Sequence, residues 1–216
     1  MDMKLIKNIA FERIGNKSSH EFKEKGNKFY HGERVAALAI KLKELILPDD
    51  NSHDEIITVA AWFHDIMNGI DNHATKGAIK TKEILSPYCT STEISEICEI
   101  ISVHDDRYSG RDNFSAYIKL HQDADHLDHF GTFDVWMSFI YAVPHNQTIN
   151  DVKDWLLKVR PAENEKYRNE LNFELSRQIF DEKMEFLNYF SNRFGVEIAG
   201  GIWNESQFHQ KSQRAE

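Results

Sequence analysis

Cysteine, proline, glycine and basic charge are all in short supply in this chain, and each shortage removes a class of structure or partner. Two cysteines in 216 residues, Cys89 and Cys98, with no C-x-x-C spacing, are too few for a disulfide framework and fit a reducing compartment. Four prolines and ten glycines leave few interruptions in a sequence rich in Glu, Lys, Leu and Ile, and almost no stretch alternates like a half-buried strand. The fold class expected is therefore all-α. No apolar run is as long as a membrane span, and the start MDMKLIKNIAFERIG lacks a signal-peptide core, so a cytoplasmic protein with no membrane partner is expected. With 26 basic against 35 acidic residues and a net charge of −9, a duplex nucleic acid is not the expected partner. The length fits one domain, taken as residues 1–200, with a flexible tail over 201–216.

What is present is helical periodicity punctuated by caps. A first long helix is expected over about residues 19–47, with Phe22, Phe29, Val35, Leu38 and Leu42 near helical spacing and His31 in its middle. Ser52 and Glu55 stand in capping-box register before a helix that carries Ile56, Ala60 and His64 on one face and stops at Asn68-Gly69. A short helix over about 74–85 follows, then Thr90 and Glu93 cap a helix through Ile94, Ile97, Ile101 and His104. The stretch DDRYSGRD is turn-like, and the helix after it has an inner side with Phe114, Ile118, His121 and Asp125. Helices over about 132–142 and 163–194 complete the pattern, the last ended by Gly195. Its Tyr and Phe stripe suits core or a homodimer surface.

His-Asp dipeptides by themselves carry no signal, because 11 His and 16 Asp predict about 0.8 pairs by chance and the chain has three. Position separates them. His53-Asp54 opens a helix, where it serves the helix dipole. His64-Asp65 closes the apolar run AAWF, and a buried imidazole beside a buried carboxylate costs several kcal/mol unless both are paired or bound to a metal. His31 and Asp125 lie in comparable apolar surroundings on other helices. Taken singly, each reads as an ordinary core histidine or helix-surface carboxylate; taken together, they are costly burials with one shared reason. His nitrogen with Asp oxygen suits Mn, Fe, Co, Ni or Zn.

The order His31, His64-Asp65, Asp125 resembles the HD-domain superfamily of metal-dependent phosphohydrolases, in particular its small bacterial members. YHGERVAALA looks like that family's first-ligand helix, AAWFHDI like its central motif and HQDADHLDHFG like its final one, a likeness over about residues 20–135. The resemblance implies an all-α single-domain helical bundle of the HD-domain type, with a divalent ion (Mn, Co, Ni, Fe, Mg or Zn) held by His31, His64, Asp65 and Asp125. Asp123 is the alternative last ligand. His73 and His104 are similar in order to residues that hold a second ion in two-metal members, with contacts to substrate or orientation of the ligands as the other roles open to them. Two departures bear on substrate: Asn68 stands where a nucleotidase-like branch has an acid, and TFDVWMSF stands where pyrophosphohydrolase-like members are Gly-rich.

The function expected is hydrolysis of a nucleotide or other small phosphoester through a metal-activated water, with His64 and Asp65 catalytic and Asp65 orienting that water. Arg107 and Arg111, in the loop after His104, are the candidate phosphate binders, against a plain reading as a solvated loop paired with Asp105, Asp106 and Asp112. Arg34, one turn from His31, is as well explained by an ion pair. A diiron oxygenase of the same fold and a non-catalytic helical module that binds metal or nucleotide are the alternatives.

Overall fold

The computed structural model describes residues 1–16, 27–109 and 111–206. Among these residues the secondary structure is helical, with no strand. Helix α1 (Met3–Ile14) starts at Asp2, whose carboxylate accepts from the Leu5 amide at 3.0 Å, and buries Ile6, Ala10 and Ile14. Helix α2 (Asn27–Ile46) is packed against both α3 (Asp54–Phe63) and α6 (Ala116–Asp128), while α4 (His73–Leu85) pairs with α5 (Ser91–Ser102) and α5 closes onto α3. Helix α7 (Thr132–Ala142) follows, then α8 (Ile149–Asp154), a π-helical turn at Trp155–Val159, the short α9 (Arg160–Ala162), α10 (Asn164–Glu170) and α11 (Glu174–Ile198). One core runs through the bundle, built from Val35, Ala39 and Leu42 of α2, Ile57, Ala60 and Phe63 of α3, Ile97 and Ile101 of α5, and Leu120, Ala124 and Leu127 of α6. No helix among the described residues is long and apolar enough to cross a membrane.

Several boundaries differ from those the sequence suggested. The helix at the N-terminus, α1, was not expected. The first part of the expected 19–47 helix, with Phe22, lies outside the described residues, as does the end of the tail. The capping box at Ser52 does not form: the hydroxyl of Ser52 donates to Asp50 at 2.6 Å, and α3 begins one residue later behind His53, whose φ is +65°. The box at Thr90 and Glu93 does form.

The expected 163–194 helix is broken. Leu171 is extended, and the amides of Asn172 and Phe173 donate to the Asp123 carboxylate of α6 at 2.8 and 3.0 Å, not to helix carbonyls. Arg111 answers from the other side, donating to the carbonyls of Asn169 and Leu171 and to the side chain of Asn172. A buried carboxylate thus takes the free N–H groups of the break, and a guanidinium takes its free C=O groups. Gly195 does not end α11 either; a side chain there would meet Leu157 of the π-helical turn at 3.3 Å.

The placement of α2 on α3 depends on Gly32. A Cβ at that position would stand 2.6 Å from the Ala61 carbonyl oxygen and 3.3 Å from the Cα of Trp62, so only hydrogen lets the two backbones approach this closely. His31 precedes this contact and His64 follows it, so the spacing between those imidazoles is set here. Gly32→Ala gains about 1 kcal/mol of helix propensity but forces overpacking that costs up to about 3 kcal/mol. A net loss of about 1–2 kcal/mol in urea unfolding is expected. An unchanged or higher midpoint would mean that the two helices do not meet this closely.

Candidate metal centre

Three histidines present their rings to one region with one nitrogen already committed. His64, the first residue beyond α3, has Nδ1 2.8 Å from the Ala61 carbonyl, so Nδ1 carries the proton and Nε2 is left with a lone pair. His104, just beyond α5, repeats the device with Nδ1 2.7 Å from the Ile101 carbonyl. His31, in α2, has Nδ1 2.8 Å from Asp128 Oδ2 and Nε2 3.1 Å from Asp125 Oδ1. An imidazole whose far nitrogen is tied to an oxygen is fixed in tautomer and orientation, which is how metal-binding histidines are held.

Around these rings the ligand atoms converge. His64 Nε2 lies 3.7 Å from Asp125 Oδ1 and 3.9 Å from Asp65 Oδ1. Atoms about 2.1 Å from a common ion lie between about 3 Å apart when adjacent and about 4.2 Å when opposite, so these separations suit one ion. His31, His64 and Asp65 form one potential ligand group, His31, Asp125 and His129 an overlapping one, and Asp65, His73 and His104 a third. His73 opens α4, and its Nε2 is 3.3 Å from His104 Nε2, the spacing of two neighbouring ligands on one ion. Asp65 belongs to groups on both sides. The donor set, imidazole nitrogen with carboxylate oxygen, fits a borderline divalent cation.

Each carboxylate of the centre also has a cation. Asp65 Oδ2 accepts from Lys28 at 2.6 Å, and its Oδ1 accepts from the Asn68 amide at 3.0 Å, so Asn68 orients the aspartate rather than supplying an acid. Asp125 Oδ2 accepts from Arg107 at 3.0 Å, which turns Oδ1 towards His31 and His64. Asp128 accepts from both Nε and Nη2 of Arg34 at 2.8 Å, so this arginine bridges α2 to α6. Burial opposes the ionised form of all three, but the histidines and these cations outweigh it and hold the carboxyls below their ordinary range, Asp128 at about 2.

The expected site residues thus divide. His31, His64, Asp65 and Asp125 are brought together, with His73 and His104 alongside. Arg107 reaches the centre, although it grips Asp125 and the Gln122 carbonyl. Arg111 is directed away, to the break before α11, and Asp123 to the same break, so neither faces the centre. Sequence reasoning missed Lys28, Asp128 and His129. All three lie one helical turn from an expected ligand, Lys28 from His31 and the other two from Asp125, and that spacing was the available signal. His121 lies behind His64 with ring centroids 5.3 Å apart, fully buried, and burial keeps it neutral.

Burial works against a charged His31, yet the hydrogen bonds of Asp125 and Asp128 prevail and raise its pKa to about 9. Burial lowers His64 to about 4, only partly opposed by Asp65 and Asp125, and lowers His126 to about 4 with help from Arg107. The stability contributed by His31 is complete below its unfolded pKa of about 6.5 and is lost as pH rises through 9. His64 and His126 act oppositely, because the unfolded chain takes up their protons below about 6.5 while the folded chain resists until 4. Urea unfolding of chelator-treated protein should therefore show a maximum near pH 6.5, falling towards both 4 and 9; a monotonic profile contradicts this assignment. Asp128→Asn removes the anchor of His31 Nδ1 and is expected to weaken Mn binding about 10–100-fold by calorimetry. Undiminished affinity would show that Asp128 does not hold the ring.

The model of the HD domain family matches residues 29–129. None of the curated proteins matches the chain. Among solved structures, YpgQ of Bacillus subtilis in complex with ADP is similar at 19% identity over 92% of this chain and 99% of that one, with a TM-score of 0.63. An HD-superfamily hydrolase from Bacillus thuringiensis is similar at 20% identity over 91% and 96% of the two chains, with a TM-score of 0.68. At these identities the likeness establishes the fold.

Proposed function

The chain carries an HD domain over residues 29–129, and we propose that it is a metal-dependent phosphohydrolase acting on a nucleotide or another small phosphoester. The observation that carries this reading is the convergence of His31, His64, Asp65 and Asp125 from α2, the end of α3 and α6, with the second nitrogen of both histidines already committed. A divalent ion held there supplies the Lewis acidity that draws charge from a phosphoryl group and makes water acidic enough to attack near neutral pH.

Charge favours an anionic substrate. Asp65, Asp125 and Asp128 are balanced by Lys28, Arg34 and Arg107, so with neutral histidines the centre sums to zero, and a dication makes it strongly attractive to phosphate. Asp65, with both oxygens oriented by Lys28 and Asn68, is the group placed to align the attacking water. His64 holds its Nε2 towards the same point through the Ala61 carbonyl. The ADP in the YpgQ complex supports a nucleotide as the first substrate class to examine.

We place a second ion at Asp65, His73 and His104, because Asp65 is shared by two potential ligand groups. The same sharing is what a diiron oxygenase would require, so that reading is kept as the alternative. The deciding assay combines metal analysis with a panel of nucleotides and simple phosphoesters after chelation and readdition of Mn, Co, Mg or Fe. Phosphate release that needs the added ion, and that drops at least about a hundredfold in His64→Ala, is the expected result. Two tightly held irons with oxygen-dependent turnover would replace the proposal with the oxygenase, and metal binding with no turnover of any phosphoester would leave a non-catalytic module.

A further inference from the structure

The three cations at this centre are held in different ways. Arg34 is fixed by three hydrogen bonds to Asp128 and lies over the Phe133 ring at 4.4 Å, with its side chain 40% exposed. Arg107 is fixed by the Gln122 carbonyl and Asp125, with its side chain 11% exposed. Lys28 donates to Asp65 Oδ2 and to no other described residue, and its side chain is 24% exposed while that of Asp65 is 7% exposed. It lies in the first turn of α2, one turn before His31, and reaches the buried Asp65 from a side chain that is itself partly exposed. An ammonium carries three donors on a flexible stem, and Asp65 uses one of them.

We propose that Lys28 is the residue of this site that binds the substrate's phosphate, its ammonium bridging Asp65 and a phosphate oxygen of the anion. The catalytic part of this inference rests on the phosphohydrolase reading; the anion-binding part rests on geometry and charge alone. Arg34 is more exposed but is held on Asp128, outside the ligand groups. Arg107 has both anchors inside the protein, and Arg111 is turned to the break before α11, so Lys28 is the cation that pairs with a ligand carboxylate while keeping donors free.

A fixed positive charge beside Asp65 repels a dication and attracts an anion, so its removal has effects of opposite sign on the two ligands. Disrupted folding would weaken both. Mn alone is titrated calorimetrically into the wild type, Lys28→Gln and Lys28→Arg, and inorganic phosphate is then titrated into the Mn-saturated forms. Lys28→Gln is expected to bind Mn at least about threefold more tightly and phosphate at least about tenfold more weakly. Lys28→Arg should stay within about threefold of wild type for both ligands. The inference is overturned if Lys28→Gln weakens Mn and phosphate together, if its phosphate affinity is unchanged, or if the Mn-saturated wild type binds no phosphate. Opposed shifts in Lys28→Gln together with a wild type that hydrolyses no phosphoester refute the hydrolase reading and leave Lys28 as an anion-binding residue.

Discussion

Three carboxylates buried at the meeting of α2, α6 and the end of α3 are the constraint that the rest of the molecule answers to. Asp65, Asp125 and Asp128 would each cost several kcal/mol if left uncompensated in the interior. Their compensation is drawn from separate parts of the chain: Lys28 and Arg34 from α2, Arg107 from the loop after α5, and His31 between the two aspartates of α6. Each pair spans two elements, so satisfying the charges also fixes how the elements sit. Gly32 makes that arrangement sterically accessible. Its missing side chain lets α2 rest on the Ala61 carbonyl, which also accepts from His64 Nδ1. One backbone oxygen therefore sets both the helix packing and the orientation of a ligand.

Helix α6 shows how one short sequence serves three purposes. In DADHLD the residues advance by about 100° each, so Asp125 and Asp128 lie about 60° apart while Asp123 is nearly opposite Asp125. Asp125 and Asp128 therefore face His31, and Asp123 faces the break before α11. Every residue from Leu120 to Asp128 is buried. A helix enclosed on all sides has no solvent face, so its periodicity does not reveal which carboxylate looks towards the centre. That is the physical reason Asp123 and Asp125 were both open as ligands in the sequence, although the geometry of the helix separates them once one face is known.

Legibility elsewhere follows the same division between local and distant causes. The helical class, the Thr90 cap, the bounds of α7 and the position of His64 at a helix end are consequences of neighbouring residues, and they could be read directly. The division of the expected 163–194 helix could not, because it is made by Asp123 and Arg111, about 50 and 60 residues upstream. Ser52 failed as a cap for a nearer reason: Asp50, two residues before it, offers the hydroxyl a charged acceptor at 2.6 Å. Arg34 could be read as one half of an ion pair and is, on Asp128, but neither it nor Lys28 reveals from one turn's distance to His31 which carboxylate of another element is set against it.

The proton on His31 ties these charges to the proposed chemistry. Between two aspartates this imidazole keeps its proton to a pH of about 9, whereas a metal ligand must offer a bare nitrogen. An ion held by His31 would therefore displace that proton, so the charge of the centre would rise by one unit rather than two. Counting Asp65, Asp125 and Asp128 against Lys28, Arg34 and Arg107, the centre goes from one positive charge to two. On the proposed hydrolase reading, that net charge would complement a phosphoryl dianion. On the same reading, Asp65, His73 and His104 would hold a second ion without drawing on the His31 proton, and the added charge would favour a more highly charged phosphoester. Under the proposal, the number of ions held would therefore bear on which phosphoesters bind.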